Sequence, residues 1–136
     1  MLQTKVLLVD DEQDFSIRTK NLLERNQFHV TTCQAAEEAL LHLRKDFFDI
    51  VICDVFIPFF GHQEGGLEIA KDVADKFPAS FTIIISQYVT EALVNKFMDI
   101  LPHSKYRFLN KDENFENSLI ETVKKGIEKK YVFVCM

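Results

Sequence analysis

Acidic, hydroxyl and amino side chains follow several short apolar runs of this 136-residue chain. Asp10 and Asp11 follow the first run, Asp54 follows the third, and Ser86 and Lys111 stand at the ends of two later runs. Carboxylates that meet in a partly dry cleft repel one another, so such a group needs a compensating cation. Oxygen ligands with open positions suit Mg²⁺, or Mn²⁺ in its place. A nearby lysine and hydroxyl would suit the remaining oxygens of a phosphoryl group.

Each of these residues alone also has an ordinary structural explanation. Asp10 and Asp11 are residue types that cap helices and form turns. Asp54 could open a loop, Ser86 could end a strand, and Lys111 could be a solvated charge. Only their joint position after successive apolar runs favours a chemical site.

The apolar runs that precede these residues predict β-strands. Residues 6–9, 51–53 and 83–85 show no polar alternation, which is typical of strands covered on both faces in a parallel sheet. Residues 29–33 are β-branched and mixed, which favours a strand nearer the edge. Residues 106–109 form a weaker fifth candidate.

Apolar residues recur at helical spacing between these runs, for example from Ala36 to Phe47. A helix ending before Pro78 and a helix capped by Thr90 are predicted in the same way. The order βαβαβαβαβα predicts an α/β fold with a five-stranded parallel sheet, doubly wound, with helices on both faces. Ligands bind such sheets outside the carboxyl ends of the strands, where the polar residues fall.

Composition sets limits on the function classes. The 16 basic and 21 acidic residues give a net charge of −5, which does not suit direct nucleic-acid binding. No apolar run is long enough to span a membrane, and the start lacks the pattern of a signal peptide. Three cysteines, Cys33, Cys53 and Cys135, have no paired spacing. We therefore expect a single domain in the reducing cytoplasm, without a membrane partner.

In this order the motifs resemble the receiver domain of two-component response regulators. The resemblance implies the flavodoxin-like (βα)5 form of the doubly wound fold over residues 1–130, with 131–136 as a tail of unassigned role. The motifs that carry it are "VLLVDDE" (6–12), "DIVICDVFIP" (49–58), "GGLEI" (65–69), "TIIIS" (82–86) and "RFLNK" (107–111).

The resemblance implies one role for each matching acid. Asp54 corresponds to the phosphoacceptor, which receives a phosphoryl group from a partner's phosphohistidine. Asp11 corresponds to a direct metal ligand, and Asp10 to the acid that holds the metal through water. Asp54 and the backbone carbonyl of Phe56 complete the metal ligands that the resemblance implies.

The same resemblance assigns the residues around the phosphoryl group. Ser86 and Lys111 correspond to the hydroxyl and the ammonium that bind it, and Phe108 to an aromatic switch. Phe56 and Tyr88 occupy the positions that flank the path of the attacking water, where two bulky aromatic side chains are expected to slow dephosphorylation.

The implied function is that of a signalling module, and not of an enzyme beyond its own phosphorylation and slow dephosphorylation. The phosphoryl donor would be a histidine kinase or a histidine phosphotransfer protein. Phosphorylation would change the surface of the fourth helix, fifth strand and fifth helix for a downstream protein or for an output domain outside this chain. A homodimer is also left open.

Other functions stay open. A receiver-like interaction domain that takes no phosphate is mildly favoured by Gln87, where the family has a small residue, and by the long segment 58–66. Retention of all five site residues opposes it. A phosphatase of the haloacid dehalogenase type would have a second acid in place of Phe56. Binding of a flavin phosphate would be opposed by the charges of Asp10 and Asp11.

Overall fold

The computed structural model describes residues 3–60, 65–99, 101 and 106–134, with residues 128–134 as backbone only. Part of the long segment 58–66, part of the tail 131–136 and Cys135 therefore lie outside the described residues. Strand and helix alternate along the chain. The elements are β1 (Lys5–Val9), α1 (Gln13–Arg25), β2 (His29–Cys33), α2 (Ala36–Lys45), β3 (Ile50–Asp54), α3 (Gly65–Lys76), β4 (Phe81–Ser86), α4 (Glu91–Met98), β5 (Tyr106–Asn110) and α5 (Phe115–Val134).

The five strands form one parallel sheet in the order β2-β1-β3-β4-β5. This confirms the predicted five-stranded, doubly wound α/β fold. It also confirms that the mixed strand β2 lies at an edge, and β5 forms the other edge. The strand order reverses between β1 and β3, so the carboxyl ends of these two strands flank the crevice where such sheets bind ligands.

Helices cover the two faces of the sheet because successive strand residues point to opposite sides. Val6 and Leu8 of β1 face α1 and α5, whereas Leu7 and Val9 face α2 and α3. The three inner strands are almost fully buried apart from their ends. This burial makes them rigid supports for whatever follows their last residues.

Cys33 and Cys53 are buried free thiols in β2 and β3. They pack as small apolar groups on the face of the sheet covered by α2 and α3. Burial raises the pKa of the Cys33 thiol to about 12, and it raises that of Cys53 well above its ordinary value. Both thiols therefore stay protonated and contribute to the packing of the core.

The extension of the second helix to Phe47 is wrong. Helix α2 ends at Lys45, and Asp46 turns the backbone to an extended conformation. In an extended segment neighbouring side chains point to opposite sides, so Phe48 enters the core at 1% exposure while Phe47 stays 43% exposed. Phe47 fits the helical spacing of apolar residues, but it lies outside the helix.

Two predicted helix boundaries are confirmed. The Thr90 hydroxyl caps α4 by accepting a hydrogen bond from the Leu93 amide at 3.2 Å. Helix α3 ends two residues before Pro78. Helix α5 continues past residue 130, and the domain boundary drawn there stays a prediction. No helix within the described part of the chain is both long and apolar enough to cross a bilayer.

Candidate functional site

Residues from three strand ends meet at one ammonium group. The Nζ atom of Lys111, just after β5, lies 2.7 Å from Oδ2 of Asp54 at the end of β3. The same nitrogen lies 2.9 Å from Oδ2 of Asp10, which follows β1. Glu12 adds a longer contact of 3.8 Å. The carboxylates of Asp10 and Asp54 thus stand on either side of a single cation-sized position at the carboxyl edge of the sheet.

Asp10 is fully buried, and its two oxygens differ in their surroundings. Oδ1 accepts a hydrogen bond of 2.8 Å from the Glu12 amide. Oδ2 receives no directional hydrogen bond from the described residues, although the Lys111 ammonium stands at ion-pair distance. Burial raises the pKa of the Asp10 carboxyl above its ordinary value, and the contacts with Lys111 and the Glu12 amide only partly offset that effect.

Asp54 is fixed by the loop that follows it. Oδ1 accepts a hydrogen bond of 2.8 Å from the Phe56 amide, while Oδ2 faces Lys111. The start of α3 presses closely against this backbone. A Cβ on Gly66 would lie 2.7 Å from the Asp54 carbonyl oxygen and 2.6 Å from Cα of Val55. The glycine therefore lets α3 approach Asp54 more closely than another residue type would.

The ammonium group of Lys111 also contacts an aromatic ring. It lies 4.3 Å from the ring centroid of Phe15 in α1, and that ring packs on Phe115 of α5. Burial disfavours the ammonium, but the carboxylates of Asp10 and Asp54 outweigh that effect and raise the pKa of Lys111. The sequence reasoning missed Phe15, because its helical spacing marks it only as a core residue.

Ser86 ends β4 beside the cluster, but its hydroxyl is engaged within its own loop. Oγ accepts a hydrogen bond from the Tyr88 amide at 3.3 Å and donates one to the Tyr88 carbonyl at 3.2 Å. The Ser86 carbonyl accepts from the Lys111 amide at 2.8 Å, which extends the pairing of β4 with β5. The hydroxyl is buried and does not bond to Asp54 in this arrangement.

The remaining residues singled out in the sequence surround the cluster at different depths. The Asp11 side chain is exposed. Within the described residues, no hydrogen bond joins it to Asp10 or Asp54, and no ion pair joins it to Lys111. Phe56 and Tyr88 are 53% and 78% exposed in the loops after β3 and β4. Phe108 is half-buried in β5 and meets the ring of Phe97 edge-on at 5.0 Å.

The donor set of this edge fits a hard divalent cation. Across the ranges that the structure describes, no group of three or more His, Cys, Asp or Glu side chains already forms a metal cage. However, Oδ2 of Asp10 is a buried carboxylate oxygen without a directional hydrogen bond, and its charge is disfavoured by burial. A cation that keeps several waters needs only one or two carboxylates, so the residues present suffice for Mg²⁺ or Mn²⁺.

Proteins similar to this chain include response regulators. The two-component response regulator ARR10 of Arabidopsis thaliana is 48% identical over 56 residues, which are 40% of this chain. The match spans 10% of that protein's length. A response regulator from Thermotoga maritima is 27% identical, with a TM-score of 0.76 over 93% of this chain and 99% of its own.

The fold itself recurs at lower identity. A CheY-like response regulator receiver domain protein from Methanospirillum hungatei superimposes with a TM-score of 0.83 at 21% identity, covering 96% of this chain and 98% of its own. The family model described as the response regulator receiver domain matches residues 6–124, which is most of the chain. The match includes every strand but the first residue of β1, and all of the candidate site. This chain accordingly belongs to the family of response regulator receiver domains, the signalling domains of two-component systems.

Proposed function

We propose that Asp54 is a phosphoacceptor that takes a phosphoryl group from a phosphohistidine of a partner protein, with the help of Mg²⁺ or Mn²⁺. The observation that carries the proposal is the contact of one buried lysine with two carboxylates from separate strand ends. Asp54 is the less buried of the two acids, and it lies at the end of a rigid strand. It is therefore the carboxylate that an incoming phosphoryl group can reach.

The transfer needs little beyond position and charge. An oxygen of the Asp54 carboxylate attacks phosphorus, an O–P bond forms, and the P–N bond of the phosphohistidine breaks. The imidazole leaves with the electron pair of that bond. A bound divalent cation, held by Asp10, Asp11, Asp54 and the Phe56 carbonyl, would neutralise charge on the phosphoryl oxygens. The Lys111 ammonium then pairs with a phosphoryl oxygen instead of the free carboxylate.

Phosphorylation is proposed to change first the hydrogen bonds of Ser86 and then the packing of β5. To bind the phosphoryl group, the Ser86 hydroxyl must leave its contacts with Tyr88. This change would in turn alter the surroundings of Phe108, whose ring contacts Phe97 of α4 and Tyr106 of β5. The α4-β5-α5 surface would then differ between the two states, which is what a downstream protein or an output domain would recognise.

Two exposed aromatic side chains are proposed to prolong the phosphorylated state. Phe56 and Tyr88 are exposed in the loops that follow β3 and β4. The bulk of both rings would obstruct the approach of water to an acyl phosphate, and the ring of Phe56 carries no hydrogen-bonding group that would position an attacking water. Loss of the phosphoryl group by hydrolysis would therefore be slow.

A phosphorylation-silent interaction domain is the second candidate. It is favoured by one observation, namely that the Lys111 ammonium pairs with both Asp10 and Asp54 and so partly offsets their charge. In that case the acid pair would only stabilise the fold, and the exposed loops would serve a constitutive partner.

One experiment separates the two candidates. The protein is incubated with acetyl phosphate and Mg²⁺, and its intact mass is recorded over time. We expect a gain of one phosphoryl group in the wild type and in Asp75→Asn, which removes an exposed acid of α3, and no gain in Asp54→Asn. A wild-type chain whose mass never changes would support the silent domain, and a gain that persists in Asp54→Asn would move the acceptor elsewhere.

A further inference from the structure

Asn110 joins β5 to the loop that holds the switch hydroxyl. It is the last residue of β5 and pairs with Ser86 in the register of the sheet. Its side-chain oxygen accepts a hydrogen bond of 2.9 Å from the Val89 amide, in the middle of the β4–α4 loop. An amide N–H only donates, so this contact requires an acceptor at position 110. Nothing in the chemistry of phosphoryl transfer described above uses this residue.

The contact restrains the part of the loop that Ser86 depends on. The loop is already fixed at one end by the Lys111 amide, which donates to the Ser86 carbonyl at 2.8 Å, and at the other by the Thr90 cap of α4. Between these points Ser86 Oγ makes both of its contacts with the Tyr88 backbone. Val89 follows Tyr88 directly, so the Asn110 contact keeps the Tyr88 backbone near the hydroxyl.

We infer that Asn110 is a positioning residue that clamps the β4–α4 loop in the form that withholds Ser86 from the phosphoryl group. The inference rests on the proposed phosphoacceptor function of Asp54. The hydroxyl either bonds to the Tyr88 backbone or turns toward the phosphoryl group. Each hydrogen bond that stabilises the first arrangement therefore opposes the second.

The residue type supports this assignment. Asparagine is disfavoured in strands, and Asn110 is exposed, so packing of the sheet does not require it. Its amide reaches across to a loop amide that would otherwise be satisfied by water. A single side-chain hydrogen bond of this kind is enough to shift a two-state loop by roughly two- to tenfold.

The clamp is tested first by amide hydrogen exchange at Val89. We expect this amide to be protected in the wild type, to exchange faster in Asn110→Ala, and to be protected again in Asn110→Asp, which keeps an acceptor oxygen. Asn117→Ala changes an exposed asparagine of α5 and serves as the matched control. Equal exchange at Val89 in the wild type and Asn110→Ala would overturn the clamp, whatever happens to phosphorylation.

The consequence for Ser86 is tested by the rate of phosphoryl uptake from acetyl phosphate and Mg²⁺. Release of the loop should make Asn110→Ala take up the phosphoryl group roughly two- to tenfold faster than the wild type and Asn117→Ala. An uptake rate in Asn110→Ala equal to or below that of the wild type would overturn the inference alone. A wild-type chain that takes up no phosphoryl group would overturn the proposed function, on which the inference depends.

Discussion

At the scale of single residues, the site depends on how one ammonium offsets two carboxylates. Lys111 is only 7% exposed, and it contacts a carboxylate that is fully buried and one that is mostly buried. Charges removed from water are tolerated when each has a partner, and removal of one partner leaves the other charge uncompensated. The three side chains should therefore behave as one energetic unit.

A double-mutant cycle tests this coupling. In the absence of divalent cations, Lys111→Met should lower the free energy of unfolding by about 2–4 kcal/mol, because it leaves Asp10 buried without a cation. Addition of Asp10→Asn should recover much of that loss. Urea unfolding provides the measurement, and Lys125→Met, an exposed lysine paired with Glu121, should change stability by about 0.5 kcal/mol or less. Strict additivity of the two changes at positions 10 and 111 would argue against the unit.

The aromatic positions beside Asp54 give a second prediction at this scale. Phe56→Asn replaces an apolar ring with a group that can hold a water, so the phosphorylated protein should lose its phosphoryl group several-fold faster. The decay is followed by intact mass after removal of the donor. Phe47→Asn, at the other end of β3, should decay as the wild type does. Equal decay rates in all three proteins would contradict the protective role of Phe56.

The sequence predicted these residues unevenly. Asp10 and Asp54 were found because each directly follows an apolar run, and the structure brings both to Lys111. The sequence offered no means to tell that Asp10 is buried while its neighbour Asp11 is exposed, because that depends on how the chain leaves β1. The ring of Phe15 beside Lys111 was missed because this contact forms only when α1 and α5 pack together next to the chain that follows β5.

At the scale of elements, the chain is easiest to interpret where burial is complete. The inner strands have uninterrupted apolar runs, and these runs predicted the parallel sheet because short runs without polar alternation are typical of strands covered on both faces. The end of α2 was missed because helical spacing continues to Phe47 by coincidence, while Asp46 has already left the helix. Loops carry no such periodicity, so the Asn110 contact could be seen only in the folded chain.

The close approach of α3 to the backbone of Asp54 and Val55 gives a prediction for two glycines. Gly66→Ala should cost about 1–3 kcal/mol of stability and slow phosphorylation, because the added Cβ would meet backbone atoms next to Asp54. Gly126→Ala is the matched control in α5, where the Cβ would meet the side chain of Phe81 at 2.9 Å and no backbone atom this close, and would gain helix propensity of about 1 kcal/mol. Thermal unfolding compares them, and an equal or smaller loss in Gly66→Ala would contradict the proposed role of the close approach.

At the scale of the whole molecule, the candidate site and the hydrophobic core occupy different parts of the sheet. The site lies at the carboxyl edge, and the helices of both faces begin near that edge and pack against the strands. The fold is shared with a CheY-like receiver domain protein at only 21% identity. A ligand that binds at this edge should therefore raise the free energy of unfolding of the entire domain.

Divalent cations test that link between edge and domain. A ligand that binds only the folded chain stabilises it by about 1.4 kcal/mol at ten times its dissociation constant. We expect the melting temperature to rise with added MgCl₂, and not with NaCl of equal ionic strength. The rise should be reduced in Asp10→Asn and Asp54→Asn. A melting temperature that is indifferent to Mg²⁺ in the wild type would contradict the metal site.

The most direct test identifies the residue that receives the phosphoryl group. The protein is treated with acetyl phosphate and Mg²⁺, reduced with borohydride, digested and sequenced by mass spectrometry. Borohydride converts an aspartyl phosphate to homoserine with release of phosphate and leaves a free aspartate unchanged. We predict homoserine at position 54 and at no other aspartate. Homoserine at a different position, or an unmodified Asp54 in a protein that has gained a phosphoryl group, would contradict the account.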